Sequence, residues 1–145
     1  MATVLRTRDE LAREAERFVA ALKPAADRAT LVTLSGALGA GKTAFTQEIA
    51  RALGVEEPVT SPTFVLEKIY QLPPGKPFAR LVHIDAYRLE SGSELRALGF
   101  DELMQDAGNL VLVEWPEHIA DALPQAEARI TLAADADGTR TLTYL

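Results

Sequence analysis

The sequence predicts a three-layer α/β sandwich on a mixed, mainly parallel sheet, and three observations point to it. Residues 31–34 and 110–113 are short, β-rich apolar runs of the kind buried on both faces of a parallel sheet. Stretches with apolar residues at helical spacing alternate with such strands. Two turn clusters, Pro73-Pro74-Gly75-Lys76-Pro77 and Asp135-Ala136-Asp137-Gly138, interrupt that alternation and predict antiparallel hairpins.

The elements follow in order. Thr7-Arg8-Asp9-Glu10 reads as a capping box opening a helix, with Leu11, Ala15, Phe18, Val19 and Leu22 on its apolar face and Pro24 ending it. The strand at 31–34 runs into a glycine-rich turn, 36–41. A second helix is expected from Thr43, with Phe45, Ile49, Ala52 and Leu53 on one face and Gly54 as its stop. Residues 59–63 read as a loop, and 64–70 and 80–84 as the two strands of a hairpin. Short helices are expected at 93–98 and 101–105, around Gly99. After the strand at 110–113, Pro116 suits the first turn of a helix reaching about Leu123. Residues 129–133 and 140–144 form the last hairpin. No repeat, low-complexity segment or linker appears, and 145 residues suit a single domain spanning 1–145.

Composition narrows the function. About half the residues are apolar and a quarter charged, which fits a soluble globular chain able to bury a core. With no cysteine and two histidines, disulfides, thiolate metal sites and histidine-rich zinc centres are excluded. No apolar run reaches the roughly 20 residues of a membrane span, and the N-terminus lacks a signal-peptide core, so a cytoplasmic location is expected. A net charge of −6 argues against autonomous nucleic-acid binding, which draws most of its affinity from phosphate contacts. Arg80, Arg88 and Arg96 could make a local basic patch, though scattered arginines more often are solvated surface.

Gly36-Ala37-Leu38-Gly39-Ala40-Gly41-Lys42-Thr43 fits the phosphate-binding pattern G-x-x-x-x-G-K-[ST]. Its glycines let backbone N–H groups turn inward around phosphates, and the helix that follows adds unpaired donors and a positive dipole end. Lys42 would neutralise the β and γ phosphates, and the Thr43 hydroxyl would ligate magnesium. A random chain of this length matches the pattern at roughly the half-per-cent level. The expected strand before it and helix after it favour a P-loop over an ordinary glycine turn.

Such a site needs a carboxylate at the end of a buried strand, where it holds magnesium or its water shell. Glu114, ending Leu110-Val111-Leu112-Val113-Glu114, is assigned to magnesium; Asp85, ending Leu81-Val82-His83-Ile84-Asp85, to orienting or deprotonating the attacking water. The roles could be exchanged. Thr60-Ser61-Pro62-Thr63 lies where other P-loop proteins place a segment sensing the γ-phosphate, or is a polar turn. His83 is expected to pack or hydrogen-bond along its strand. Trp115 could stack near a nucleotide base or be structural, and Arg88 could stabilise phosphate charge or pair in a salt bridge.

These segments also occur in a recognisable order: the P-loop, Thr60-Ser61-Pro62-Thr63-Phe64, His83-Ile84-Asp85-Ala86-Tyr87-Arg88-Leu89, and Val113-Glu114-Trp115-Pro116-Glu117. The chain resembles the bacterial TsaE family, also called YjeE, over nearly its whole length. The P-loop alone is generic; the other three segments together are specific. The resemblance implies an ATP- and Mg2+-dependent ATPase subunit in the synthesis of N6-threonylcarbamoyladenosine in tRNA. It would work with TsaD, which transfers the threonylcarbamoyl group, and TsaB, which scaffolds TsaD, and would meet tRNA only through them. By that resemblance Lys42 and Thr43 are phosphate and magnesium ligands. Ser61 and Thr63 belong to a switch-like loop, Asp85 and Glu114 serve hydrolysis, and Trp115 lies beside the nucleotide. Two other readings compete: a small-molecule kinase, and a nucleotide-gated binding module without significant turnover. A GTPase is disfavoured, because no [NT]-K-x-D segment is present.

Overall fold

Helix α1 (Arg8–Ala21) begins where the sequence places its cap: the Thr7 hydroxyl accepts from the Glu10 N–H at 3.1 Å, and the Glu10 carboxylate accepts from the Arg6 N–H at 3.2 Å. The computed structural model describes residues 2–59 and 67–145. Before α1 lies a short strand, β1 (Ala2–Leu5). Then come β2 (Thr30–Ser35), α2 (Lys42–Ala52), β3 (Glu67–Gln71), β4 (Arg80–Asp85), α3 (Gly92–Arg96), α4 (Phe100–Met104), β5 (Asn109–Glu114), a 3-10 turn (Pro116–Ile119), β6 (Ala128–Ala134) and β7 (Arg140–Tyr144).

The seven strands form one sheet in the order β1-β7-β6-β2-β5-β4-β3. The central four, β6, β2, β5 and β4, are parallel; β3, β7 and β1 pair antiparallel. The two antiparallel hairpins are those the turn clusters predict, and the mixed three-layer α/β architecture is as expected. One face carries α1 and α2 over Val32, Leu34, Leu81, Leu110, Leu112 and Leu132. The other carries α3, α4 and the 3-10 turn over Leu31, Val82, Ile84, Val111 and Val113. Period-2 alternation thus divides β2, β4 and β5 between two cores. The α2 end is a paired stop: Val55 N–H reaches Ala50 O and Gly54 N–H reaches Arg51 O, both at 3.0 Å, with Gly54 at φ +91°.

Three details differ from the sequence expectation. β1 is too short to show a period, and it forms because β7 offers it an edge, Ala2 to Leu5 facing Thr143 to Arg140. Helix α2 starts at Lys42, one residue before Thr43, with Gly41 as its cap. The helix expected from Pro116 to about Leu123 is instead a 3-10 turn ending at Ile119. Asp121, which would lie inside that helix, turns its carboxylate to the Gly92 N–H at 2.8 Å, and Pro124 closes the segment. Residues 64–66 of the strand expected from 64 lie outside the described residues. No helix among them is long and apolar enough to cross a membrane.

Candidate nucleotide site

The site forms where the parallel strands end. Lys42 and Thr43 open α2, directly after β2 and its loop. Asp85 ends β4 and Glu114 ends β5; the two are register partners on adjacent strands, and Glu114 also pairs with Leu34 of β2. Leu110 and Leu112 point to the α1–α2 core, so Glu114 shares that face, as does Asp85 in line with Leu81. Both carboxylates therefore stand on the face that carries the N-terminus of α2. A cavity of about 470 Å³ joins them: it is lined by Leu38, Gly39, Gly41 to Ala44, Asp85, Tyr87, Arg88, Glu114, Trp115 and Arg140. A larger cavity of about 640 Å³ lies across the sheet beside Thr33, Arg129 and Glu127. It has no phosphate cradle, so chemistry rather than volume locates the site.

The loop is shaped by its neighbours. Gly36 has φ +145°, and a methyl group there would sit 2.3 Å from the Leu132 carbonyl oxygen of β6. Gly41 has φ +102°, and a methyl group there would come 2.6 Å from Arg140 Nε on β7. Ala40 is buried beneath the loop in the core, while Ala37 and Leu38 are exposed. Of the motif residues, Leu38, Gly39, Gly41, Lys42 and Thr43 line the cavity; Gly36, Ala37 and Ala40 do not.

Lys42 is only 5% exposed. Its Nζ donates to the Gly36 carbonyl and lies 3.5 Å from the centre of the Trp115 ring. Burial lowers the pKa of this ammonium, while the charges of Glu114, Glu117 and Asp85 oppose that shift. A triphosphate would stabilise the charged form in the same direction as those acids. Trp115 is the one non-glycine residue with positive φ among the described residues, at +60°. Such a conformation costs a bulky residue about 1–3 kcal/mol. It is held by the Trp115 N–H bond to Leu34 O at 3.2 Å and by ring contacts with Tyr87 (5.0 Å) and His118 (5.4 Å). The result is an aromatic wall at the cavity mouth, next to the lysine. Asp85 accepts from the Tyr87 N–H at 3.0 Å, which ties the acid to that wall.

Ser61 and Thr63 lie outside the described residues. The three arginines do not make one patch. Arg80 starts β4 and bonds Asn109 and Asp106, Arg96 bonds the Asp121 carbonyl, and Arg88 lines the cavity near the opposite end of β4. Two contacts were not legible in advance. Arg140 reads only as a strand residue, and its place over Gly41 follows from β7 lying two strands away from β2. His83 makes a contact with Glu114, Nε2 to Oε2 at 2.6 Å, that depends on the β4–β5 register.

A model of one family matches residues 6–142, and that family is described as threonylcarbamoyl adenosine biosynthesis protein TsaE. The chain belongs to the TsaE family. Among curated TsaE relatives, that of Treponema pallidum is 38% identical over 117 residues, 81% of this chain and 82% of the relative. That of Mycobacterium tuberculosis is 44% identical over 109 residues, 70% of this chain and 62% of the relative. Both carry the name tRNA threonylcarbamoyladenosine biosynthesis protein TsaE. The crystal structure of Bacillus subtilis YdiB superimposes with a TM-score of 0.77 at 30% identity, covering 99% of this chain and 83% of that one. The α/β fold read from the sequence pattern is thus shared with that solved structure.

Proposed function

We propose that this protein is the ATP-binding and ATP-hydrolysing subunit of the bacterial complex that makes N6-threonylcarbamoyladenosine in tRNA. It acts with TsaD and TsaB in the cytoplasm and does not itself perform the transfer. One observation carries the reading: Lys42, Thr43, Asp85 and Glu114 line a single cavity at the carboxyl ends of parallel strands. Membership of the TsaE family supplies the pathway.

The chemistry asked of these groups is mostly positioning and charge stabilisation. The loop N–H groups and the start of α2 receive the phosphates, and Lys42 leaves the Gly36 carbonyl to meet the β and γ oxygens. The donor set suits magnesium. Among the described residues no cluster of three or more carboxylate or imidazole ligands occurs, whereas Thr43 and Glu114 share the cavity. Magnesium is typically bound by one or two protein ligands plus phosphates and water. Bound there, it would neutralise charge between the β and γ phosphates. Asp85 orients or deprotonates the attacking water. The acidic chain, with a net charge of −6, suits a subunit that reaches tRNA only through partners.

A kinase reading needs a lid over the nucleotide. Residues 91–105 instead bury Leu95, Phe100 and Met104 against the opposite sheet face and contribute nothing to the cavity lining.

The direct test is magnesium-dependent ATP hydrolysis with and without purified TsaB and TsaD. Slow turnover alone and clear stimulation by the pair are expected; tight ATP binding without stimulation would favour a binding module. Within that assay Glu114→Ala should weaken the magnesium dependence of ATP binding. Asp85→Ala should spare binding and lower turnover by about 10²–10⁴-fold. The reverse pattern would exchange their roles.

A further inference from the structure

His83 is a fully buried ionisable side chain for which the chemistry above has no use. It sits on β4 two residues before Asp85, on the same sheet face. Its Nε2 lies 2.6 Å from Oε2 of Glu114, a carboxylate only 2% exposed. Its second ring nitrogen, Nδ1, is buried with no hydrogen-bond partner among the described residues.

The two nitrogens constrain each other. A bond to the carboxylate needs the N–H on Nε2. A second N–H on Nδ1 would be a buried donor with no acceptor, which costs about 1–3 kcal/mol; an unused lone pair is tolerated more readily. The imidazole therefore offers its proton to Glu114. The pairing also bears on Lys42. Glu114 is the acid that acts most strongly on the Lys42 ammonium, yet no ion pair joins them among the described residues. Oε2 is engaged from below by His83, while Lys42 stays on the Gly36 carbonyl and the Trp115 ring.

We propose that His83 is a positioning residue for Glu114. By donating Nε2–H to Oε2, it fixes the rotation of the carboxylate, holds it back from Lys42 and leaves Oε1 as the oxygen presented to the nucleotide cavity. This rests on the assignment of Glu114 to magnesium. An outer partner that orients a metal-binding side chain commonly sets metal affinity by 10–100-fold.

The test compares His83→Leu, His83→Gln, Glu114→Ala and the double variant His83→Leu/Glu114→Ala. Each is titrated with MgCl2 at fixed ATP while nucleotide binding is followed, with thermal melts as the folding control. His83→Leu should raise the magnesium half-saturation by about tenfold. Glutamine, whose amide N–H stands in for Nε2–H, should restore most of it. In the Glu114→Ala background His83→Leu should add nothing. Wild-type magnesium dependence in His83→Leu, with a large shift in Glu114→Ala, would make His83 a packing residue and overturn the proposal while leaving Glu114 in its role. Additive effects would overturn it as well. If Glu114→Ala also leaves the dependence unchanged, the assignment of Glu114 fails and the positioning role falls with it. Should His83→Leu not fold, nitrogen-15 spectra of the unliganded protein decide. A protonated Nε2 whose resonance moves in Glu114→Gln supports the contact, and a proton on Nδ1 alone overturns it.

Discussion

Replacing Lys42 by alanine should abolish tight ATP binding. The ammonium is 5% exposed and held at the cavity by the carbonyl of Gly36 and the ring of Trp115, contacts it exchanges for phosphate oxygens in the proposed function. Truncating one member of a buried, hydrogen-bonded charge pair costs about 2–5 kcal/mol. That corresponds to at least a ~30-fold loss of affinity. Titration calorimetry with ATP and magnesium measures it directly, and retained affinity would remove the phosphate assignment. The loss should be greater for ATP than for AMP, because the role proposed for Lys42 is to meet the β and γ phosphates. An equal loss for both would indicate that the loop had collapsed, and a melt of the variant would show it.

The second large effect is expected at Gly36. In Gly36→Ala the new methyl would stand 2.3 Å from a backbone oxygen, that of Leu132, in a conformation at φ +145° that an L side chain rarely adopts. Backbone cannot give way as a flexible side chain does. Strain of about 1–3 kcal/mol and overpacking of similar size add to each other. The control is Gly39→Ala, at φ +81° with nothing within 4 Å of the added methyl. That change should cost only the conformational term, about 1–2 kcal/mol. Gly36→Ala should therefore melt well below Gly39→Ala, by about 3 °C for each further kcal/mol. It should also lose nucleotide binding, since the clash pushes the loop off β6. Equal melting temperatures would show that β6 yields at Leu132.

The contrast between these two glycines marks what was legible in the sequence. The phosphate loop is a local motif, so Gly36 to Thr43 could be read directly, but which glycine meets a wall depends on β6, about a hundred residues later. Glu114 and Asp85 were legible because a buried parallel strand writes itself as an apolar run, and an acid at its end is conspicuous. Their adjacency needed the β4–β5 register. The contact of His83 with Glu114 and the place of Arg140 over Gly41 are cross-strand facts with no local signature. The 3-10 turn after Trp115 was misread because proline at a first helical position says where a helix starts, not how far it continues. Strand β1 was missed because four residues cannot display a period and its stability comes from β7.

The close fit of Gly36 against Leu132, and of Gly41 against Arg140, has a consequence for biosynthesis. β2 is a central strand whose partners, β5 and β6, are both translated much later. A ribosome working at about 5–20 residues per second needs roughly 5–20 seconds to travel from Gly36 to Leu132. Throughout that interval the nascent chain carries the complete phosphate motif but lacks the strands that mould it. Under the proposed function, nucleotide capture is therefore expected only once β5 and β6 have been made and have docked beside β2.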